Sequence, residues 1–196
     1  MIVRQLRNTD WLTGEVEVPE EGVLLPETYR ADRGDTRQSV LDRMRADQQK
    51  LLDRLWEARQ PGLPLASPEE AVILASIVEK ETGRTDERRR VAGVFINRLR
   101  MGMRLQSDPT VIYAISRGEP LGRGLRASEL LNRSPWNTYA YSGLPPSPIA
   151  NPGRASLEAV LDPIQTGELY FVADGGGGHV FARTLAEHNA NVARAR

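Results

Sequence analysis

A capped apolar helix between residues 67 and 83, with the sequence SPEEAVILASIVEKETG, sets the firmest limit on how this chain can fold. Ser67 is a typical helix N-cap residue, Pro68 suits the first helical position, and Glu70 completes a Ser-x-x-Glu capping box. Gly83 ends the apolar run. At 196 residues, the chain fits one domain and can bury a substantial core.

The rest of the sequence predicts a mostly helical α+β domain that spans 1–196. Alternation interrupted by Pro and Gly predicts short extended pieces over 14–31, and strands at 168–173 and 179–182 are predicted to form a β-hairpin across a glycine turn. The predicted helices cover about 36–59, about 86–101 with Thr85 as N-cap, about 109–118 with Ser107 or Asp108 as cap, a segment that starts at Asn151 and Pro152, and the C-terminal TLAEHNANVARAR.

The composition argues against several classes of function. Lys and Arg number 26, as do Asp and Glu, so no overall field attracts nucleic acid, and the arginines within 84–104 are expected at solvated positions without interleaved aromatics. No cysteine is present, and the histidines, His179 and His188, are too few and too oddly spaced for a zinc site. No run of 18 apolar residues occurs, which predicts a soluble chain. We expect neither a metal nor a cofactor.

The last turn of the apolar helix carries two glutamates, and helical geometry places them on different faces. Glu81 follows Leu74 by seven residues and Ile77 by four, so it lies on the apolar stripe. Glu79 points to another face. Burial and the negative end of the helix dipole both raise the pKa of a carboxyl, so Glu81 is predicted to hold a proton near neutral pH. The structural alternative is a glutamate that only bonds backbone or arginine at a helix end.

Several motifs, in one order from about Glu21 to Asn189, resemble a known family. They are ASIVEKETG, ERRRVAGVFINRLRMGMRLQSDPTVIYAI, NTYAYSGLPPSPIANPG and LYFVADGGGGHVF, and they are similar to the endolytic murein transglycosylases, the YceG-like proteins. The resemblance implies a bacterial enzyme that cuts peptidoglycan glycan strands between N-acetylmuramic acid and N-acetylglucosamine and leaves a 1,6-anhydro end. It also implies that Glu81 is catalytic and that Thr82 matches the Ser or Thr that follows the acid in other lytic transglycosylases.

Two polar segments are candidates for contact with sugars. LQSDPT offers amide and carboxylate groups at the mouth of a cleft, although its Ser and Asp can also simply cap a helix. The irregular loop 134–153 offers aromatic and amide groups, although its prolines can also only stiffen a surface loop. Asn97 is expected to be a structural hydrogen bonder, and DGGGGH a hairpin turn. The candidate substrate contacts are Gln106, Ser107, Asp108, Asn137, Tyr139, Tyr141 and Thr82.

We therefore expect Glu81 to be at least half buried in a groove formed with 105–108 and 136–146. Two rival functions stay open at this point. One is a glycoside hydrolase, in which Asp108 or another carboxylate activates water while Glu81 remains the acid. The other is a glycan-binding module without catalysis.

The resemblance also sets expectations about the cell. Full-length relatives have an N-terminal membrane anchor and an extra domain, and neither is present in this sequence, so we expect an excised catalytic domain. The full-length protein is expected at the periplasmic face of the bacterial inner membrane, attached only by that missing anchor. There it would act on peptidoglycan glycan strands and contribute to the termination of their elongation. Cell-wall synthesis proteins are candidate partners, and nucleic acid is not.

Overall fold

The computed structural model describes residues 1–195, and in that range the chain forms seven α-helices, a short 3-10 helix and one two-stranded sheet. The predicted α+β class, with a small C-terminal hairpin, is confirmed. No helix within 1–195 is both long and apolar enough to cross a membrane. The elements are α1 (Ile2–Arg7), α2 (Arg37–Glu57), α3 (Pro68–Glu81), α4 (Thr85–Arg100), α5 (Asp108–Ser116), the 3-10 helix (Glu129–Leu131), α6 (Arg154–Leu161), β1 (Tyr170–Ala173), β2 (His179–Ala182) and α7 (Leu185–Arg194).

The predicted apolar helix, α3, lies at the centre of the main hydrophobic core, where it packs against α4 and α6. Leu74 and Ile77 are fully buried, as the helical spacing predicts. The Ser67 hydroxyl accepts the backbone N–H of Glu70, while the Glu70 carboxylate accepts the N–H of Ala66. The Glu70 carboxylate therefore bonds the N–H of the residue before the N-cap, whereas the predicted capping box has it bond the N–H of Ser67 itself.

The N-terminal segment corrects one expectation. Residues 14–31 form no strand, and the nearest pairing is an isolated bridge between Thr13 and Thr36. Pro and Gly interrupt the backbone too often for a ladder to form. Val16 and Leu24 instead turn inward and pack with Leu41 of α2 in a second, smaller cluster. The alternation in this segment thus reflects the burial of separate side chains.

Two helix starts also differ from the prediction. Thr85 is the first residue of α4, so the N-cap position belongs to Arg84, whose side chain makes no capping bond. α6 begins at Arg154, because the Asn151 side chain is engaged elsewhere: its Oδ1 accepts the backbone N–H groups of Gly22 and Leu24. Asn151 therefore holds the N-terminal segment against the helical core.

The hairpin is docked on α4, which brings it close to the end of α3. The ring of Phe171 on β1 meets that of Phe95 on α4 edge-on, with centroids 5.7 Å apart. The Asn97 amide donates to the carbonyl oxygens of Thr166 at 2.7 Å and Glu168 at 3.0 Å. These bonds confirm the predicted structural role of Asn97, and they fix the chain that leads into β1.

Candidate active site

An open groove of about 570 Å³ runs past the end of α3, and the Glu81 side chain lies in its wall. Glu81 is more than half buried, as predicted. One side of the groove comes from Gln106, Asp108 and Tyr139, and the other comes from the hairpin and α7. Tyr139 is the one residue of 136–146 in the described lining, and the wall made by the hairpin and α7 was not predicted.

Ser107 forms a hydrogen bond with the Glu81 carboxylate. The Ser107 hydroxyl donates to Glu81 Oε1 at 2.5 Å, and Ser107 itself is almost fully buried. Its backbone N–H donates to the Thr138 hydroxyl at 3.0 Å, and its carbonyl accepts the Thr110 hydroxyl at 2.6 Å. The two threonine hydroxyls lie 2.9 Å apart. Ser107 occupies the N-cap position of α5, but its hydroxyl orients Glu81 and does not cap that helix.

The surroundings of Glu81 raise its pKa from the usual value to about 7. Burial of the carboxyl is the largest cause, and the negative charge of Asp108 acts in the same direction. The hydrogen bond from Ser107 and the charges of His179 and Arg98 act in the opposite direction without cancelling the effect. A carboxyl that keeps its proton near neutral pH and faces an open groove can donate that proton to a bound group.

Glu79, two residues earlier, makes a different set of contacts. Its Oε2 accepts the backbone N–H of Gly153 at 3.1 Å and the Ser156 hydroxyl at 2.6 Å. Arg88 Nη2 lies 3.9 Å from its other oxygen. Glu79 therefore caps the N-terminus of α6, where a negative charge also suits the helix dipole.

Three of the predicted sugar-binding residues do meet in the groove: Gln106, Asp108 and Tyr139. The Tyr139 hydroxyl donates to Asp108 Oδ1 at 2.6 Å, and burial together with this bond raises the pKa of Tyr139. Gln106 has a φ of 51°, in the left-handed region, and its N–H donates to the carbonyl of Thr138. Strained backbone of this kind persists where its surroundings impose it, and it is common at functional sites.

Comparison with known proteins assigns the chain to a family. The model of the YceG-like family matches residues 2–194. The chain belongs to the YceG-like family. The YceG-like chain is also similar to a crystal structure of a YceG-like protein from Listeria monocytogenes, with a TM-score of 0.74 and 34% identity over 96% of this chain and 62% of that one.

Curated relatives of this YceG-like chain carry the name endolytic murein transglycosylase. The Bacillus subtilis (strain 168) relative is 37% identical over 180 residues, which is 92% of this chain and 49% of the relative. The Streptococcus pneumoniae (strain D39) relative is 34% identical over 180 residues, which is 88% of this chain and 32% of the relative. The chain thus spans about half or less of the length of these relatives.

The remaining predicted contacts, Ser107 among them, lie outside the described lining of the groove. Thr82 is buried, and its hydroxyl accepts the N–H of Arg84 at 3.0 Å. Asn137 is fully buried, donates to the carbonyl of Leu130 and accepts the N–H of Tyr139. Tyr141 is about half exposed and is not part of the lining. In this YceG-like chain, therefore, Thr82 and Asn137 brace the segments that carry the groove, and the geometry does not favour their direct contact with sugar.

Arg98 is a groove residue that the sequence interpretation missed. It was expected at a solvated position, but it is buried, with an exposed fraction of 6%. Its Nε donates to the carbonyl of Leu169 at 2.7 Å and its Nη1 to that of Leu105 at 2.5 Å, so it joins the two sides of the groove. The signal was available, because Arg98 follows Val91 by seven residues on the apolar stripe of α4.

Two histidines were also missed as groove residues. His179 and His188 line the groove, although the sequence interpretation weighed them only as metal ligands. His188 stacks on Tyr170, with ring centroids 5.3 Å apart. No pattern in the sequence placed α7 beside Glu81, since about a hundred residues separate them. The glycine turn directly before His179 was the one local feature that bears on its position, because the turn places His179 at the start of β2.

Proposed function

We propose that this chain is a peptidoglycan lytic transglycosylase domain with Glu81 as its catalytic residue. The observation that carries the proposal is a partly buried carboxyl with a pKa of about 7 that faces an open groove lined by both polar and apolar side chains. Such a group is suited to general acid catalysis near neutral pH. The name shared by its curated relatives, endolytic murein transglycosylase, supports peptidoglycan as the substrate.

In the proposed reaction, Glu81 first acts as an acid. Its proton passes to the glycosidic oxygen between N-acetylmuramic acid and N-acetylglucosamine, and the bond from that oxygen to C1 breaks as positive charge develops on the sugar ring. The C6 hydroxyl of the muramoyl residue then attacks C1, and its proton returns to the Glu81 carboxylate. The product ends in 1,6-anhydro-N-acetylmuramic acid, and no water is consumed. Because the nucleophile belongs to the substrate, its effective concentration is high.

The groove supplies groups that suit a sugar substrate. Ser107 holds the Glu81 carboxyl in a fixed orientation, so the acid does not have to be ordered during the reaction. Gln106, Asp108 and Tyr139 present amide, carboxylate and phenol groups to the groove, and we assign to them hydrogen bonds with hydroxyl and N-acetyl groups of the glycan. The cellular role proposed for this activity is to terminate glycan elongation at the periplasmic face of the inner membrane, beside cell-wall synthesis proteins.

A hydrolase is the second candidate, and the presence of Asp108 in the same groove favours it. In that reaction Asp108 would activate water, and the products would carry ordinary reducing ends. Asp108 already accepts the Tyr139 hydroxyl and raises the pKa of Glu81, which suits an electrostatic role better.

Product mass distinguishes the candidates. Purified glycan strands would be incubated with the chain and the products weighed. The proposal predicts ends lighter by one water than those of hydrolysis. Reducing ends would establish the hydrolase. Strands that bind but stay intact would establish a binding module.

A further inference from the structure

At the end of the four-glycine turn between β1 and β2, the Glu87 carboxylate of α4 contacts His179, a residue of the groove. Glu87 Oε1 accepts the backbone N–H of His179 at 3.0 Å, and Glu87 Oε2 lies 2.9 Å from His179 Nδ1. A Cβ at Gly178 would lie 2.8 Å from Glu87 Oε1 and 2.9 Å from a carboxylate oxygen of Asp174, so a larger residue there would displace these carboxylates. Asp174 closes the turn by accepting the N–H groups of Gly176 and Gly178.

These contacts determine which nitrogen of the ring carries the proton. Partial burial opposes ionisation of Glu87, but the hydrogen bonds from the ring and backbone of His179 outweigh it and lower the pKa of Glu87. An ionised carboxylate can only accept, so in the neutral imidazole the proton lies on Nδ1 and Nε2 keeps its lone pair. The ring of Phe171 meets that of His179 edge-on at 5.1 Å and limits its rotation.

The other nitrogen of the ring is available to a ligand. Within residues 1–195, His179 Nε2 has no hydrogen-bond partner. The atom is also not fully buried, so a ligand in the groove can reach it. His179 lines the same groove as Glu81. The groove thus holds an oriented hydrogen-bond acceptor together with the proposed acid.

We propose that His179 contacts the bound glycan, with its Nε2 accepting a hydrogen bond from a sugar hydroxyl and Glu87 fixing the tautomer that makes this bond available. The inference rests on the proposed function, because the ligand is the glycan strand. His179 would thereby hold a sugar ring in the groove beside Glu81, while the proton of the C6 hydroxyl still passes to the Glu81 carboxylate during the reaction.

Glu87→Gln tests the inference because it reverses the polarity of Nε2. Only the amide oxygen of Gln can accept the backbone N–H of His179, so its NH₂ group must face Nδ1 and donate to it. The ring proton then moves to Nε2, which becomes a donor. Nitrogen NMR of the His179 ring reads this change without any substrate. Glu57→Gln, at an exposed site on α2, is the matched control and should change nothing.

Binding and cleavage are then measured separately. Binding of purified glycan strands is compared between Glu81→Gln and the Glu81→Gln/Glu87→Gln double variant, and release of anhydro ends is compared between wild type and Glu87→Gln. Because a hydroxyl would face a donor, we expect a loss on the order of 10-fold to 10²-fold in one or both. His179→Ala should cause a similar loss. The melting temperature of each variant shows whether it is folded.

Two results would overturn the inference. One is a ring proton that stays on Nδ1 in Glu87→Gln. The other is a ring proton that moves to Nε2 while glycan binding and anhydro release stay at wild-type levels. Failure of the proposed function would look different, since the wild-type chain would then bind strands without releasing anhydro ends, and the binding comparison would still test His179.

Discussion

Glu79 and Glu81 lie two residues apart on α3, and each accepts a hydroxyl from a buried serine. Ser156 donates to Glu79 at 2.6 Å, and Ser107 donates to Glu81 at 2.5 Å. The rest of their surroundings differs. Glu79 also accepts a backbone N–H at the start of a helix, whereas Glu81 faces a groove.

The difference shows that two carboxylates with the same kind of serine partner can differ in what they do, because their burial and the charges around them differ. Glu79 Oε1 lies 3.9 Å from Arg88 Nη2, and Glu79 Oε2 accepts a hydrogen bond at the N-terminus of α6. Glu81 is buried near the anion of Asp108, and its pKa rises to about 7. Helical spacing separated the two faces, but the partners on each face come from distant parts of the chain.

Exchange of the proposed acid, Glu81, should give the largest effect. Glu81→Gln keeps the size of the side chain but has no proton to transfer, so the release of anhydro ends from purified glycan strands should fall by a factor on the order of 10² to 10⁴. Glu79→Gln is the matched control and should retain most of the activity. Full release by a folded Glu81→Gln protein would remove Glu81 from the reaction.

The pH dependence follows from the raised pKa of Glu81. Since the acid must be protonated, the initial rate should fall about tenfold for each pH unit above about 7. The other charged or titratable groups that face this carboxyl are Asp108, Arg98, Tyr139, His179 and His188. Initial rates across neutral pH provide the measurement. A rate that rises through this range would contradict the assignment of Glu81 as the acid.

Loss of the other carboxylate should affect stability. Glu79→Ala leaves the N–H of Gly153 and the hydroxyl of Ser156 without their partner, so the free energy of unfolding should fall by about 1–3 kcal/mol. Urea unfolding of the variant and wild type measures this difference. The variant that remains folded should still release anhydro ends. Unchanged stability together with lost activity would mean that the two glutamates have been assigned the wrong way round.

The smallest effect is expected at Ser107. Its hydrogen bond lowers the pKa of Glu81, so Ser107→Ala should raise that pKa and move the alkaline limb of the rate profile upward by less than about one pH unit. Rate profiles of the variant and wild type would show the shift. A weaker substrate affinity with an unmoved profile would instead indicate that Ser107 contacts the glycan directly.

The sequence predicted the parts of the site that depend on local pattern. The start of α3, the inward face that carries Glu81 and the C-terminal hairpin all follow from capping, helical period and turn residues. The helical period also places Arg98 on the apolar face of α4, where it is buried, although the charge of arginine suggested an exposed position. The structural role of Asn97 was also predictable from its position on the flank of an amphipathic helix.

Other features depend on contacts between distant segments. Ser107 has the sequence signature of a helix cap, and only the approach of α3 shows that its hydroxyl binds Glu81. The wall formed by the hairpin and α7 faces Glu81 only after the hairpin docks on α4. At 14–31 the alternation of apolar residues suggested strands, but burial against α2 explains it. Local periodicity cannot distinguish such cases.

Titration of the glutamate carboxyls tests the central claim most directly. In NMR spectra of the chain with isotope-labelled glutamate, one side-chain carboxyl should titrate with a midpoint of about 7. That signal should persist in Glu79→Gln and be absent from Glu81→Gln. A wild-type chain in which no glutamate titrates near neutral pH, or a signal that disappears in Glu79→Gln and persists in Glu81→Gln, would contradict the account.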